Sequence, residues 1–135
     1  MATRSMSYEH AAYTSVYPVN SAITTAGASG VGSKFVAFTS MLMKSATIMV
    51  QVAGTTTAAA ANDYTFFKVS GTTTTSVGYS GNLGTTVAFT VGTNVTLAGT
   101  LAQGEMICSK HGTDATQTAQ ITYEFLIRPG ADVTT

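Results

Sequence analysis

The stretch AQITYEFLI, residues 119–127, decides the fold class of this chain. Its large apolar side chains fall on every second residue, which is the period of a β-strand with one buried face. The face expected to point into the core consists of Ile121, Tyr123, Phe125 and Ile127. The opposite face consists of Gln120, Thr122, Glu124 and Leu126. The pattern predicts one long, half-buried strand.

The same period recurs in three earlier segments. Their shared-face residues are Ile48, Val50 and Val52 in the first, Thr65, Phe67 and Val69 in the second, and Val87, Phe89 and Val91 in the third. β-Branched and aromatic residues of this kind suit a pleated surface, and no segment has the continuous apolar stripe of an amphipathic helix. Gly-Thr pairs between the runs are typical of turns. The chain is therefore predicted to be all-β, a β-sandwich or a barrel.

The most hydrophobic stretch, KFVAFTSMLMKSATIMVQVAG at residues 34–54, requires a test as a membrane span. Lys44 lies at its middle, and a lysine at the centre of a spanning helix costs about 2.5–3.5 kcal/mol. A pair of strands explains the stretch better, so we expect no membrane partner.

The charge content is unusually low. Charged residues make up 9% of the chain, against about 25% in an average globular protein. Six acidic residues balance six basic ones, so the sequence has no basic surface for nucleic acid. A neutral chain with so few charges is poorly protected against self-association. This favours a component of an assembly, and the alternative is a monomer kept soluble by its Thr and Ser hydroxyls.

Cys108 and His111 lie close together in GEMICSKHGTDAT, residues 104–116, and Asp114 follows. Structural zinc takes four ligands, and even with the distant His10 as the fourth these groups would be an unusual set. A catalytic thiol needs a base beside it, yet on a strand Lys110 shares the face of Cys108 while His111 points away. The segment is interpreted as a strand and its turn. We therefore expect no catalytic residue, no metal and no cofactor.

Residues 1–33 differ in character from the rest, residues 34–135, which are predicted to form the β-sandwich domain. Three tyrosines, Tyr8, Tyr13 and Tyr17, precede a Gly/Ser/Ala-rich close. Tyrosine offers a partner both contact area and a hydroxyl. The segment is either an extended arm with a flexible connection, in which these tyrosines contact a partner, or an ordinary edge strand preceded by a frayed tail. Sequence reasoning leaves both readings open.

Residues 64–132 resemble the small β-sandwich decoration, or cement, proteins of tailed bacteriophages. The resemblance rests on a Thr/Gly/Ala-rich sheet, a GTDA turn at residues 112–115 and a closing strand of the form YEFLIRPGA at residues 123–131. It implies a jelly-roll-like sandwich that forms a homotrimer on the capsid exterior. It also implies that the partner is the major capsid protein, whose neighbouring subunits such proteins clamp.

The expected function is therefore that of a structural virion protein, synthesised in the host cytoplasm, which stabilises a phage head. Two other classes stay open. One is a receptor- or carbohydrate-binding module at a fibre tip, although the absence of Trp removes the best residue for stacking on a sugar. The other is a tail structural protein, which would need long sheet edges that pair between subunits. An enzyme is the least expected reading.

Overall fold

A computed structural model describes residues 9–16, 34–55, 57, 61–83, 93–112 and 117–127, with the side chains of residues 9–16 and 34 left out. This part of the chain contains nine β-strands and no helix. The prediction of an all-β protein is confirmed. The expected strand containing Val87, Phe89 and Val91 lies outside the described residues.

The strands form two antiparallel sheets. The first sheet contains, in spatial order, β1 (Glu9–Val16), β9 (Thr118–Ile127), β3 (Met41–Val52) and β6 (Thr93–Thr96), and β7 (Thr100–Leu101) also pairs with β3. The second sheet contains β2 (Lys34–Val36), β8 (Met106–His111), β4 (Asp63–Ser70) and β5 (Thr73–Asn82) in that order.

The strand pairs are nested around a single turn. β4 pairs with β5, β3 with β6 and β7, β2 with β8, and β1 with β9. The chain thus resembles one long hairpin that has been folded over, and the additional pairs β3–β9 and β4–β8 complete the two sheets. Gly71 opens the central turn with φ of +57°, a conformation that glycine adopts without steric cost.

The two sheets pack face to face across one apolar core in a sandwich-like arrangement. The ring of Phe35 on β2 stacks on Phe125 of β9 at 4.7 Å between centroids. Phe66 on β4 meets Tyr123 of β9 edge-on at 5.9 Å. The inward face predicted for β9 is correct: Ile121, Tyr123 and Phe125 are fully buried, and Ile127 packs against the core from its edge.

The faces of two other strands differ from the sequence expectation. In β4 the buried side chains are Tyr64 and Phe66, so Phe67 lies on the outer face. Adjacent aromatic residues at 66 and 67 make both faces apolar, and the stacking partners in the opposite sheet decide which one is buried. Val52 is 51% exposed because it follows a register shift at the end of β3 and no longer shares the buried face of Val50.

The two sheets come close where β5 meets the segment after β6. Ala98 N donates to Val77 O at 3.0 Å. A Cβ on Gly78 would lie 2.8 Å from Leu97 Cδ2 and 3.1 Å from Val95 Cγ1. Glycine at this position therefore permits the close approach that joins one edge of each sheet.

Several chain segments meet at one end of the fold. Met41 lies in register with Ile127, and Ile127 with Glu9, so β1 and β3 begin where β9 ends. Residues 37–40 alone join Val36, the last residue of β2, to Met41. We call this the Phe38 end. The opposite end, where β4 begins and β8 finishes, is the His111 end.

Replacing Phe125 with Ala should lower the free energy of unfolding by about 3–5 kcal/mol, the usual range for a core phenylalanine. The loss follows from the contacts of its ring with Phe35 and Tyr123. Gln120→Ala, on the outer face of the same strand, serves as the control and should change stability by about 0.5 kcal/mol or less. Urea unfolding measures both. An unchanged midpoint for Phe125→Ala would contradict the core assignment.

Candidate partner-binding surface

The segment with Cys108 and His111 forms β8, as the sequence predicts, and the two side chains lie on opposite faces of the sheet. Cys108 is in register with Phe67 on the outer face. The ring of His111 stacks on Tyr64 in the interior, at 4.6 Å between centroids. Asp114 lies outside the described residues. The geometry does not bring a thiol and an imidazole together, so it does not support their joint chemistry.

The polar side chains of the His111 end close the core. Tyr64 Oη donates to Gln117 Oε1 at 3.1 Å, and both residues are buried. Tyr64 N donates to Ser80 Oγ at 2.9 Å, and Gly112 N to Asp63 O at 2.9 Å. Buried polar groups that find such partners fix the packing around them. Within the described ranges no group of three or more His, Cys, Asp or Glu side chains could hold a metal ion.

Cys108→Ala should fold and assemble as the wild type does, with a loss of stability of about 1 kcal/mol for a small buried side chain. Cys108 is 1% exposed and acts as a small apolar residue. Thermal melting and metal analysis of the purified protein check this expectation. Stoichiometric zinc that disappears in the variant would overturn it.

Of the three tyrosines proposed as partner contacts, only Tyr13 lies within the described residues. Tyr13 lies in β1, where its backbone is in register with Tyr123. Tyr8 and Tyr17 lie outside the described residues, immediately before and after β1. Residues 9–16 form β1 at the edge of the first sheet, and an arm within residues 1–33 stays a prediction. The division of the chain at residue 33 stays a prediction.

An apolar surface stands at the Phe38 end of the second sheet. Val36 is 57% exposed and Phe38 is 63% exposed. Val36 is directly opposite Met106, and Met106 directly opposite Val69, so these three side chains form a continuous outward row across β2, β8 and β4. We call Val36, Phe38, Val69 and Met106 the Phe38 surface. Exposed apolar groups that adjoin one another mark binding sites more often than single ones do.

The outer face of the first sheet is more polar. Ser45 Oγ donates to Glu124 Oε2 at 3.1 Å, and Asn94 Nδ2 donates to Thr47 Oγ1 at 3.0 Å. Hydrogen bonds between neighbouring strands thus engage these side chains within the sheet. Leu42 and Leu126 form one apolar pair on this face, but the two strongly exposed apolar side chains at the Phe38 end, Val36 and Phe38, lie on or just after β2 of the second sheet.

Phe67 and Tyr79 extend the outer face of the second sheet beyond the Phe38 surface. Tyr79 is 56% exposed, and a hydrogen bond to the Asp63 carboxylate raises the pKa of its hydroxyl. This bond engages the Asp63 side chain within the chain. The charge beside the aromatic groups is therefore already paired with a hydrogen-bond donor.

A polar clamp holds the backbone beside Phe38. Ala37 N donates to Glu105 O and Gly104 N donates to Ala37 O, both at 2.8 Å. The carboxylate of Glu105 accepts hydrogen bonds from Lys68 Nζ and Ala102 N, both at 2.7 Å. Lys68 Nζ also donates to Thr100 O, on the first sheet, at 2.9 Å. The clamp consists of Lys68, Glu105 and the turn at residues 102–105.

The hydrogen bonds from Lys68, Ala102 N and Ser70 lower the pKa of Glu105 to about 2 from its ordinary 4.5. Because the pKa is lower in the folded state, the carboxylate stabilises the fold fully above about pH 4.5. This contribution disappears as the pH falls through about 2. Among the described residues, Lys68 is the charged group that contacts the Glu105 carboxylate.

Glu105→Gln should unfold at a lower urea concentration than the wild type at pH 7, because the ion pair is lost. The difference between the two midpoints should shrink between about pH 4.5 and pH 2, where the wild-type carboxylate becomes protonated. Urea titrations at pH 7, 4 and 2 test this. A difference that stays constant over the whole range would exclude the ionised carboxylate as its cause.

Sequence reasoning did not identify the Phe38 surface. A signal was nevertheless present, because Phe35, Val36 and Phe38 stand within four residues. A strand cannot bury Phe35 and the adjacent Val36 on the same face. One of them had to be exposed or covered by something else, and the stacking of Phe35 on Phe125 leaves Val36 outside.

Comparisons with known proteins do not extend this description. No model of a protein family matches the chain, and no curated protein matches it. Among the described residues, no helix is long and apolar enough to cross a membrane.

Proposed function

We propose that the protein decorates the exterior of a phage head as a structural virion protein and clamps neighbouring major capsid subunits. The observation that carries the proposal is the Phe38 surface, an apolar surface beside which the Lys68–Glu105 ion pair is already formed. Glu9, the first residue of β1, lies at the same end of the fold. The apolar surface and the point where residues 1–8 join β1 thus lie at the same end of the fold, which suits a protein that both docks and clamps.

We further propose that the two sheets form a jelly roll. The nested pairing of the strands supports this, since a jelly roll is a long antiparallel hairpin wound into two sheets of four strands. β6 and β7 then count as one interrupted strand, because both pair with β3. Jelly rolls occur in viral capsid proteins and also in lectins, so the fold supports the proposal without deciding it.

Docking through the Phe38 surface would be driven by removal of apolar side chains from water. Burying a fully exposed large apolar side chain is worth about 1.5–3 kcal/mol. The cores of interfaces are depleted in charge, as this surface is. A ligand that binds only the assembled shell stabilises that shell by mass action. The homotrimer implied by the resemblance would add avidity, because three linked surfaces meet a repeating lattice together.

Among the three tyrosines, we propose Tyr8 as the contact that acts together with the Phe38 surface, because the residue that follows it in sequence, Glu9, lies at the Phe38 end. Tyr8 precedes Glu9 at the Phe38 end, whereas Tyr17 follows Val16, which is in register with Gln120 towards the other end. The seven residue steps from Glu9 to Val16 span about 23 Å at the usual strand rise. A clamp near Phe38 would therefore use residues 1–8.

A tail structural protein is the second candidate, and one observation favours it. Thr73, Thr74, Thr75 and Ser76 are all exposed in β5, an edge strand. The segment has no charge or proline to prevent pairing with another chain. The exposed part is short, however, and the other half of β5 already contacts the segment after β6. Pairing of long edges between subunits would require more.

The proposal predicts that full-length protein cosediments with undecorated heads of the phage whose genome encodes it. Val36→Ser combined with Phe38→Ser should weaken binding roughly 10- to 100-fold, since about 1.5–3 kcal/mol of apolar burial is lost. Val52→Ser is the matched control, a valine of similar exposure at the other end of the fold. It should bind as the wild type does.

A deletion of residues 1–8 should fold and bind heads more weakly than the full chain. It must stop before Glu9, because removal of β1 would uncover the edge of β9. Circular dichroism confirms the fold, and sedimentation velocity reports the trimer. Wild-type binding by both the double serine variant and the deletion would refute the proposal. Ordered self-assembly into tubes without heads would support the tail protein instead.

A further inference from the structure

We infer that Glu105 is a positioning residue, which holds Phe38 in the orientation that a partner meets. The inference rests on the proposed function for the identity of that partner, a capsid shell. Whether this carboxylate restricts the motion of Phe38 can be measured on the isolated protein.

Phe38 lies outside the strands, and its backbone is held through its neighbour. Ala37 exchanges two backbone hydrogen bonds with Gly104 and Glu105, which continue the ladder between β2 and β8 by one step. The Phe38 ring lies edge-on to Phe35 at 6.4 Å between centroids and is otherwise mostly exposed. The position of Phe38 therefore depends on the position of the turn at residues 102–105.

The carboxylate of Glu105 fixes that turn through one hydrogen bond inside the turn and one ion pair with a residue outside it. It accepts a hydrogen bond from Ala102 N, which closes the turn on itself, while Gly104 has φ of +84°. It also pairs with Lys68, and Lys68 reaches Thr100 O on the first sheet. The side chains of Glu105 and Lys68 are 16% and 27% exposed, and the hydrogen bond between two charged groups strengthens their pairing.

The clamp acts on a local element rather than on the core. Its turn lies between β7 and β8, and Ala102, Gln103 and Gly104 are exposed. Segments of this kind open locally at a lower free energy than core strands. Loss of the carboxylate should therefore loosen residues 102–105 and Phe38 in a chain that stays folded. A surface that is already ordered binds better because less ordering accompanies docking.

The absence of Trp from the chain permits a direct test. Phe38→Trp places a single indole on the Phe38 surface, and selective excitation reports its motion alone. In Phe38→Trp with Glu105→Gln, the amplitude of nanosecond motion in the anisotropy decay should rise about twofold. The matched control is Phe38→Trp with Glu124→Gln, which alters another half-buried carboxylate that accepts a side-chain hydrogen bond. The control should leave the decay unchanged.

Head binding is measured separately, with Phe38 in place. Glu105→Gln should weaken binding about three- to tenfold through lost preorganisation, and Glu124→Gln should not. An unchanged anisotropy decay in the Glu105 variant, or an equal change in the Glu124 variant, would overturn the inference. If no form of the chain binds heads but the indole responds as expected, the proposed function fails and the positioning role of Glu105 stands.

Discussion

The pairing of β9 with β3 on one side and β1 on the other is the constraint on which the rest of the structure depends. β9 contributes Ile121, Tyr123 and Phe125 to the core. The rings of Tyr123 and Phe125 contact aromatic rings of the second sheet. The pairing with β9 sets the register of β1 and thereby places Glu9 at the end of the fold where residues 37–40 connect β2 to β3. The end of the fold at which Glu9 lies thus follows from the register of β1 and β3 on β9.

The fold class and the buried face of β9 were predictable, since strict alternation of large apolar residues has one reading. The separation of Cys108 from His111 followed from the same rule. The faces of β4 were not predictable, because Phe66 and Phe67 make both faces apolar and only the opposing sheet decides between them. The Phe38 surface and the clamp depend on contacts between residues distant in sequence, such as Lys68 with Glu105, and no local pattern specifies these.

Two of the few carboxylates of the chain are held by hydrogen bonds within the fold. Glu105 pairs with Lys68, and Asp63 bonds the hydroxyl of Tyr79. The Lys68–Glu105 pair carries no net charge, whereas Lys110 shares the outer face of β8 with Met106. A partner of the apolar row would therefore meet both apolar and cationic groups.

The account claims that one end of the fold faces the shell, and an electron cryo-microscopy map of heads saturated with the full-length chain tests this most directly. The two-sheet domain can be oriented in such a map from its Phe38 and His111 ends. The account predicts that the end with Val36, Phe38 and Glu9 contacts the major capsid subunits across their joints. Contact through the His111 end, or heads without bound protein at saturating concentration, would contradict it.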